Sequence, residues 1–171
     1  ICDELIHASL RDGIRLSKAK HVVFSHNNLS KLKELLLKIE GKKLIVIESV
    51  YSMDGDSPDM KEVFKLAKKY GAGVMVDEAH GMGLTGDNNL GQAQQFINHP
   101  NCVAMIYPLG KSAGLSGAFV VGSNMLKQFL INYSRSFIYT TGPSKQLVAK
   151  LRNQLVAMMK KDTSSIFELK S

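Results

Sequence analysis

The sequence holds only two cysteines, Cys2 and Cys102, which stand far apart with no metal-ligand spacing around either. That scarcity excludes a disulfide-dense scaffold and fits a reducing interior, so the expected compartment is the cytoplasm. Long hydrophobic runs are also missing. No stretch approaches the roughly 18 apolar residues that span a bilayer, and no basic segment followed by an apolar one opens the chain. Neither a membrane span nor a secretion signal is therefore expected. Internal repeats and low-complexity linkers are absent as well.

What remains is a chain of 171 residues, 44% hydrophobic, enough for one domain with a sizeable core. The formal charge of +7 could suit an anionic partner, but the lysines are scattered, as at Lys18, Lys20, Lys31, Lys33, Lys68 and Lys69. Dispersed charge reads as a solvated surface, and no nucleic-acid partner is expected. The first residue is Ile1, and a helical pattern is expected to begin almost at once. The expectation is that the chain starts inside a larger domain.

Apolar runs alternate with helix-patterned segments. Val22–Phe24 precedes Asn27, Asn28 and Ser30 and then the helical spacing of Leu32, Leu35, Leu36 and Ile39. Leu44–Ile47 reads as a strand buried on both faces, and a loop rich in Asp, Gly, Ser and Pro leads to a helix over Met60–Tyr70. Gly71 and Gly73 are expected to end it before a strand at Val74–Val76. Further strands are expected at Val103–Tyr107 and Ala118–Val121, and further helices at Met125–Arg135 and Gln146–Met159. Such alternation predicts an α/β fold, a mostly parallel sheet flanked by helices.

In open α/β sheets, ligands bind beyond the carboxyl ends of the strands. The polar residues there form a set: Glu48 and Ser52 after one strand, Asp77 and His80 after the next, and Lys111 after the fourth. A carboxylate at a strand tip is costly to bury without a cationic partner. Asp77 could find that partner in a protonated pyridine nitrogen, or it could simply cap the following turn. His80, three residues on, suits hydrogen bonding to a phenolate or proton transfer near neutral pH. Lys111, if desolvated beside other cations, would be a competent imine-forming nucleophile. A carboxylate at a pyridine nitrogen together with a covalently bound lysine is the pattern a pyridoxal 5'-phosphate (PLP) site requires.

Nucleotide hydrolysis is the rival reading, because Val76–His80 looks like the acidic box of helicase-type ATPases and Gly110-Lys111-Ser112 like the end of a phosphate loop. That loop needs a glycine five positions before its Gly-Lys pair, where Met105 stands. The order is also inverted, since the lysine follows the acidic box here.

Taken together, His7-Ala8-Ser9-Leu10, the run from Glu48 to Asp56, Asp77-Glu78-Ala79-His80-Gly81 and Gly110-Lys111 resemble the α-oxoamine synthases. These are fold-type-I PLP enzymes that condense an amino acid with an acyl-CoA. Ser116-Gly117-Ala118 and Phe137–Thr141 look most like the 8-amino-7-oxononanoate synthases within that group, which use alanine in biotin synthesis. The resemblance implies the large, cofactor-binding domain of the fold, only part of which is in this chain. Residues 1–142 would be its central part, and 143–171 a long helix leading towards a smaller C-terminal domain.

The resemblance also implies roles. His7 would stack on one face of the cofactor ring and Ala79 pack on the other. Asp77 would pair with the ring nitrogen, Ser52 and His80 would bond near the phenolic oxygen, and Lys111 would bind the cofactor covalently and then move protons. Thr140 and Thr141 would reach the phosphate in a neighbouring subunit, implying a homodimer with a shared active site. The substrates implied are an amino acid and an acyl-CoA or acyl-carrier thioester, with no metal. The chain departs from the family where a phosphate-binding hydroxyl often precedes the lysine, because Pro108 stands there with neither hydroxyl nor N–H to offer.

Overall fold

The computed structural model describes residues 1–160. Six strands form one sheet: β1 (Cys2–Asp3), β2 (Val23–Phe24), β3 (Lys43–Glu48), β4 (Ala72–Asp77), β5 (Cys102–Pro108) and β6 (Ala118–Gly122). Their spatial order is β2-β1-β3-β4-β5-β6. All neighbours run parallel except β5 and β6, which pair antiparallel from Ala104↔Gly122 to Pro108↔Ala118. The α/β architecture and its mostly parallel sheet are as expected.

Helices α1 (Ala8–Leu16), α2 (Leu29–Lys38), α3 (Met60–Tyr70), α4 (Asn124–Tyr133), α5 (Arg135–Ile138) and α6 (Lys145–Lys160) connect or follow the strands. α3 begins where Asp59 accepts the Glu62 amide and stops where Gly71 enters the left-handed region at φ 63°. Its apolar spacing buries Met60, Val63, Phe64, Leu66 and Ala67 against the sheet.

Strand alternation divides the core in two. Ile45, Ile47, Val74, Val76, Met105 and Tyr107 belong to the larger cluster, which also takes in Leu32 and Leu36 of α2, Phe64 of α3 and Met158 of α6. On the other face, Val46 and Met75 pack with Ile6, Leu10, Ile14 and Tyr51 beneath α1. Helices thus cover both faces, and α1 lies on the face to which Glu48 and Asp77 also belong by alternation.

Several local expectations are corrected. The chain opens with a two-residue strand rather than a helix, because Cys2 and Asp3 pair with Val23 and Phe24 on one side and Cys2 pairs with Val46 on the other. Gly73 lies inside β4, where a Cβ would come 2.5 Å from Val103 Cγ2, so its role is close strand packing rather than helix termination. The helix expected over Met125–Arg135 breaks at Ser134, whose ψ of 103° ends α4 before the short α5. Leu44 is partly exposed, because α1 covers only part of its face. Of the segment expected as a final long helix, 161–171 lies outside the described residues.

Candidate active site

The carboxyl ends of β3, β4 and β5 bring four of the expected residues together. Glu48 and Asp77 close their strands side by side, in register. Asp77 is buried, and its Oδ1 accepts the Ala79 amide at 2.8 Å. Burial raises the Asp77 carboxyl above its usual range, while the Ala79 N–H and the charges of Lys111, His7 and His80 oppose the rise. Among the described residues no side-chain cation makes an ion pair with it. A buried, under-compensated carboxylate is the group that a cationic ring nitrogen would satisfy.

Lys111 sits in the turn between β5 and β6, which is closed by Leu109 N–H to Gly117 O, Leu115 N–H to Leu109 O and Gly114 N–H to Lys111 O. Gly114 and Gly117 take the positive φ values, 59° and 101°, that this tight path needs. Its Nζ lies 2.6 Å from His80 Nε2. When Lys111 is protonated, Nζ donates and Nε2 accepts, which requires a neutral imidazole with its proton on Nδ1. Partial burial, and then the charge of Lys111, hold His80 below its usual range and so favour that neutral form.

His7 caps the N-terminus of α1: its Nδ1 accepts from the Ser9 amide and lies 2.8 Å from Ser9 Oγ. Its ring is exposed, yet within electrostatic reach of Asp77 and His80. Ala79 is buried immediately behind Asp77.

Ser52 lies exposed in the turn after β3 and makes no hydrogen bond among the described residues. That turn is anchored from another direction. Tyr51 is fully buried, Asp56 returns its carbonyl to the Tyr51 amide, and His26 bridges Asp56 (2.9 Å) and the fully buried Asp3 (3.0 Å). His26, Asp54 and Asp56 each place a ligand-type atom within 4.8 Å of the others, but the His26 ring is already engaged by Asp3 and Asp56. Thr140 and Thr141 follow α5, are exposed, and make no hydrogen bond with the other site residues among those described.

Besides Asp3, two buried carboxylates carry no role in the sequence reading. Glu48 accepts the His7 amide at 2.5 Å, and burial lifts its proton affinity to about 7. Glu78, one residue beyond Asp77, turns to the opposite face, where Ser49 Oγ and the Ala93 amide both donate to it at 2.5 Å. It is fully buried and is likewise raised to about 7, chiefly by that burial. The adjacency of Asp77 and Glu78 was the available signal, since neighbours at a strand end must face opposite sides.

The chain matches the model of the "Aminotransferase class I and II" family over residues 1–168. It is 39% identical over 158 residues to an 8-amino-7-oxononanoate synthase of Herminiimonas arsenicoxydans, covering 90% of this chain and 40% of that protein. Its fold is similar to a serine palmitoyltransferase variant of S. paucimobilis solved with a bound PLP–myriocin aldimine, at 34% identity and a TM-score of 0.85 over 93% of this chain and 40% of the other. An 8-amino-7-oxononanoate synthase of Francisella tularensis is similar at 32% identity and a TM-score of 0.81, over 94% and 47% respectively. The chain therefore spans less than half the length of each of these relatives.

Proposed function

Since the chain belongs to the class I and II aminotransferase family, and within it to the α-oxoamine synthases, we propose that it forms the cofactor-binding part of a PLP-dependent acyltransferase. The reaction is the decarboxylative condensation of an amino acid with an acyl-CoA or acyl-carrier thioester, as in an 8-amino-7-oxononanoate synthase of biotin synthesis. The observation that carries this reading is the 2.6 Å approach of Lys111 Nζ to His80 Nε2, beside a buried Asp77 that makes no side-chain ion pair among the described residues.

These residues fit the cofactor. Lys111 would hold it covalently through Nζ, Asp77 would take the ring nitrogen, and His80 with Ser52 would serve the phenolic oxygen. His7 and Ala79 would enclose the ring. Once bound, PLP supplies an electron sink for the carbanion generated at the α-carbon of the amino acid.

Asp77, kept from water, would hold a proton on the ring nitrogen because a buried carboxylate gains most from an adjacent cation. His80 accepts from Lys111 and so sets the direction in which the amine presents its lone pair or proton. Pro108 offers no donor to the phosphate, and by the family resemblance Thr140 and Thr141 would reach it across a homodimer interface. No helix among the described residues is long and apolar enough to cross a membrane, and a cytoplasmic site of action is part of this proposal.

The test is to incubate the protein with PLP, reduce with borohydride and map the modified lysine by peptide mass. Labelling concentrated on Lys111 and abolished in Lys111→Ala is expected. Label spread evenly over the surface lysines would overturn the proposal. The resemblance to the 8-amino-7-oxononanoate synthases favours alanine as substrate, and the serine palmitoyltransferase neighbour makes serine the competitor. Spectral titration of the loaded protein with each amino acid separates the two.

A further inference from the structure

Glu48 has no assigned part in the site, yet it is placed at its centre. It ends β3 in register with Asp77, is 2% exposed, and directs Oε1 to the backbone N–H of His7, 41 residues away in sequence, at 2.5 Å. Lys111 and Asp77 both lie within electrostatic reach of it. Two buried carboxylates side by side repel each other, so folding alone gains little from an acid at this position. What the acid does gain is the N–H of His7, the N-cap at the positive end of α1.

We infer that Glu48 is a positioning residue: by holding the His7 main chain at the start of α1, it sets the His7 ring at the strand-end site beside Asp77 and His80. The hydrogen bond fixes the backbone from which the ring projects, and the Nδ1 contact with Ser9 then fixes the ring's rotation. Glu48 touches neither substrate nor cofactor in this role; it acts through His7. The role in catalysis rests on the proposed function, in which His7 covers the cofactor ring, whereas the placement of His7 does not.

The test follows two signals in the same protein. Without cofactor, the His7 imidazole resonances are recorded by NMR; with PLP added, cofactor affinity is read from the absorbance of the bound form. Glu48→Ala is expected to shift the His7 resonances and to weaken PLP binding about tenfold, the loss of one hydrogen bond. Glu48→Gln, whose carbonyl oxygen can still accept from His7, is expected to restore both signals. Glu48→Asp keeps the charge but is one methylene too short, and should behave like Glu48→Ala; it stands in if the alanine variant does not fold.

In a His7→Ala background, Glu48→Ala should cost no further affinity. An equal loss in both backgrounds, or unchanged His7 resonances in Glu48→Ala and Glu48→Asp, would overturn the inference. Failure of the wild-type protein to bind PLP would instead sink the proposed function, and the cofactor-free His7 signal would still decide the role of Glu48.

Discussion

Replacing Glu78 by Gln should stabilise the protein in mild alkali and leave it nearly unchanged in mild acid. The Glu78 carboxyl is fully enclosed, with Asp77 adding repulsion, and its proton affinity rises from the usual 4.5 to about 7 although Ser49, Ala93 and Gln92 all donate to it. The folded state thus holds this proton more tightly than the unfolded chain does. For an acid raised in this way, stability is greatest below about pH 4.5, falls as pH climbs towards 7 and levels off above it. At about 1.4 kcal/mol per tenfold change in proton affinity, the rise corresponds to a loss on the order of 3 kcal/mol across that window.

Gln has the shape of the protonated acid. Its carbonyl can accept from the Ala93 amide, and its NH2 can donate to Ser49 Oγ, which turns to accept. Urea denaturation followed by circular dichroism at pH 5, 6, 7 and 8 measures the effect. Wild type and Glu78→Gln should agree within about 1 kcal/mol at pH 5, with the variant ahead by up to about 3 kcal/mol at pH 8. Glu48 and His26, both raised in the fold, leave a residual slope common to both proteins, so the difference between the two curves isolates Glu78. A variant less stable than wild type at pH 8 would refute the reasoning, because it would mean that the three donors outweigh desolvation.

Three further outcomes follow from local geometry. Gly91→Ala should lower stability by at least about 2 kcal/mol in thermal melts, because the new Cβ would lie 2.1 Å from Glu78 Oε2 on a backbone already at φ 91°. Phe64→Ala removes a ring that is 1% exposed and stacked on Phe96 at 4.3 Å, and should cost about 3–5 kcal/mol by urea titration. Asp59→Ala should cost about 1 kcal/mol through loss of the cap on the Glu62 amide, with Asp59→Ser recovering most of it in the same titration.

Much of this protein was legible in the order of its residues. The α3 helix could be read to its ends because both stop signals are local: Asp59 before it and Gly71 after it. Asp77, His80 and Lys111 could be selected as site residues because buried parallel strands read as short apolar runs, and the polar residue after each run must emerge at the same edge of the sheet. Ser52 stood out by its place after a strand, whereas the two threonines were selected by resemblance alone, and none of the three makes a hydrogen bond with another site residue among those described.

Other features needed the assembled fold. Two residues cannot announce a strand, and β1 exists only because Cys2 and Asp3 are gripped between β2 and β3. The antiparallel direction of β6 follows from the tight turn that carries Lys111, and an apolar run reads the same in either direction. The opposite destinations of Asp77 and Glu78 follow from alternation, but which face holds the site was decided by α1 packing on one side and by the 89–93 turn closing over Glu78 on the other. The grip of Glu48 on His7 spans 41 residues. Local sequence encodes the propensity and spacing of each element; contacts between distant elements depend on how the sheet orders them, and only packing settles that.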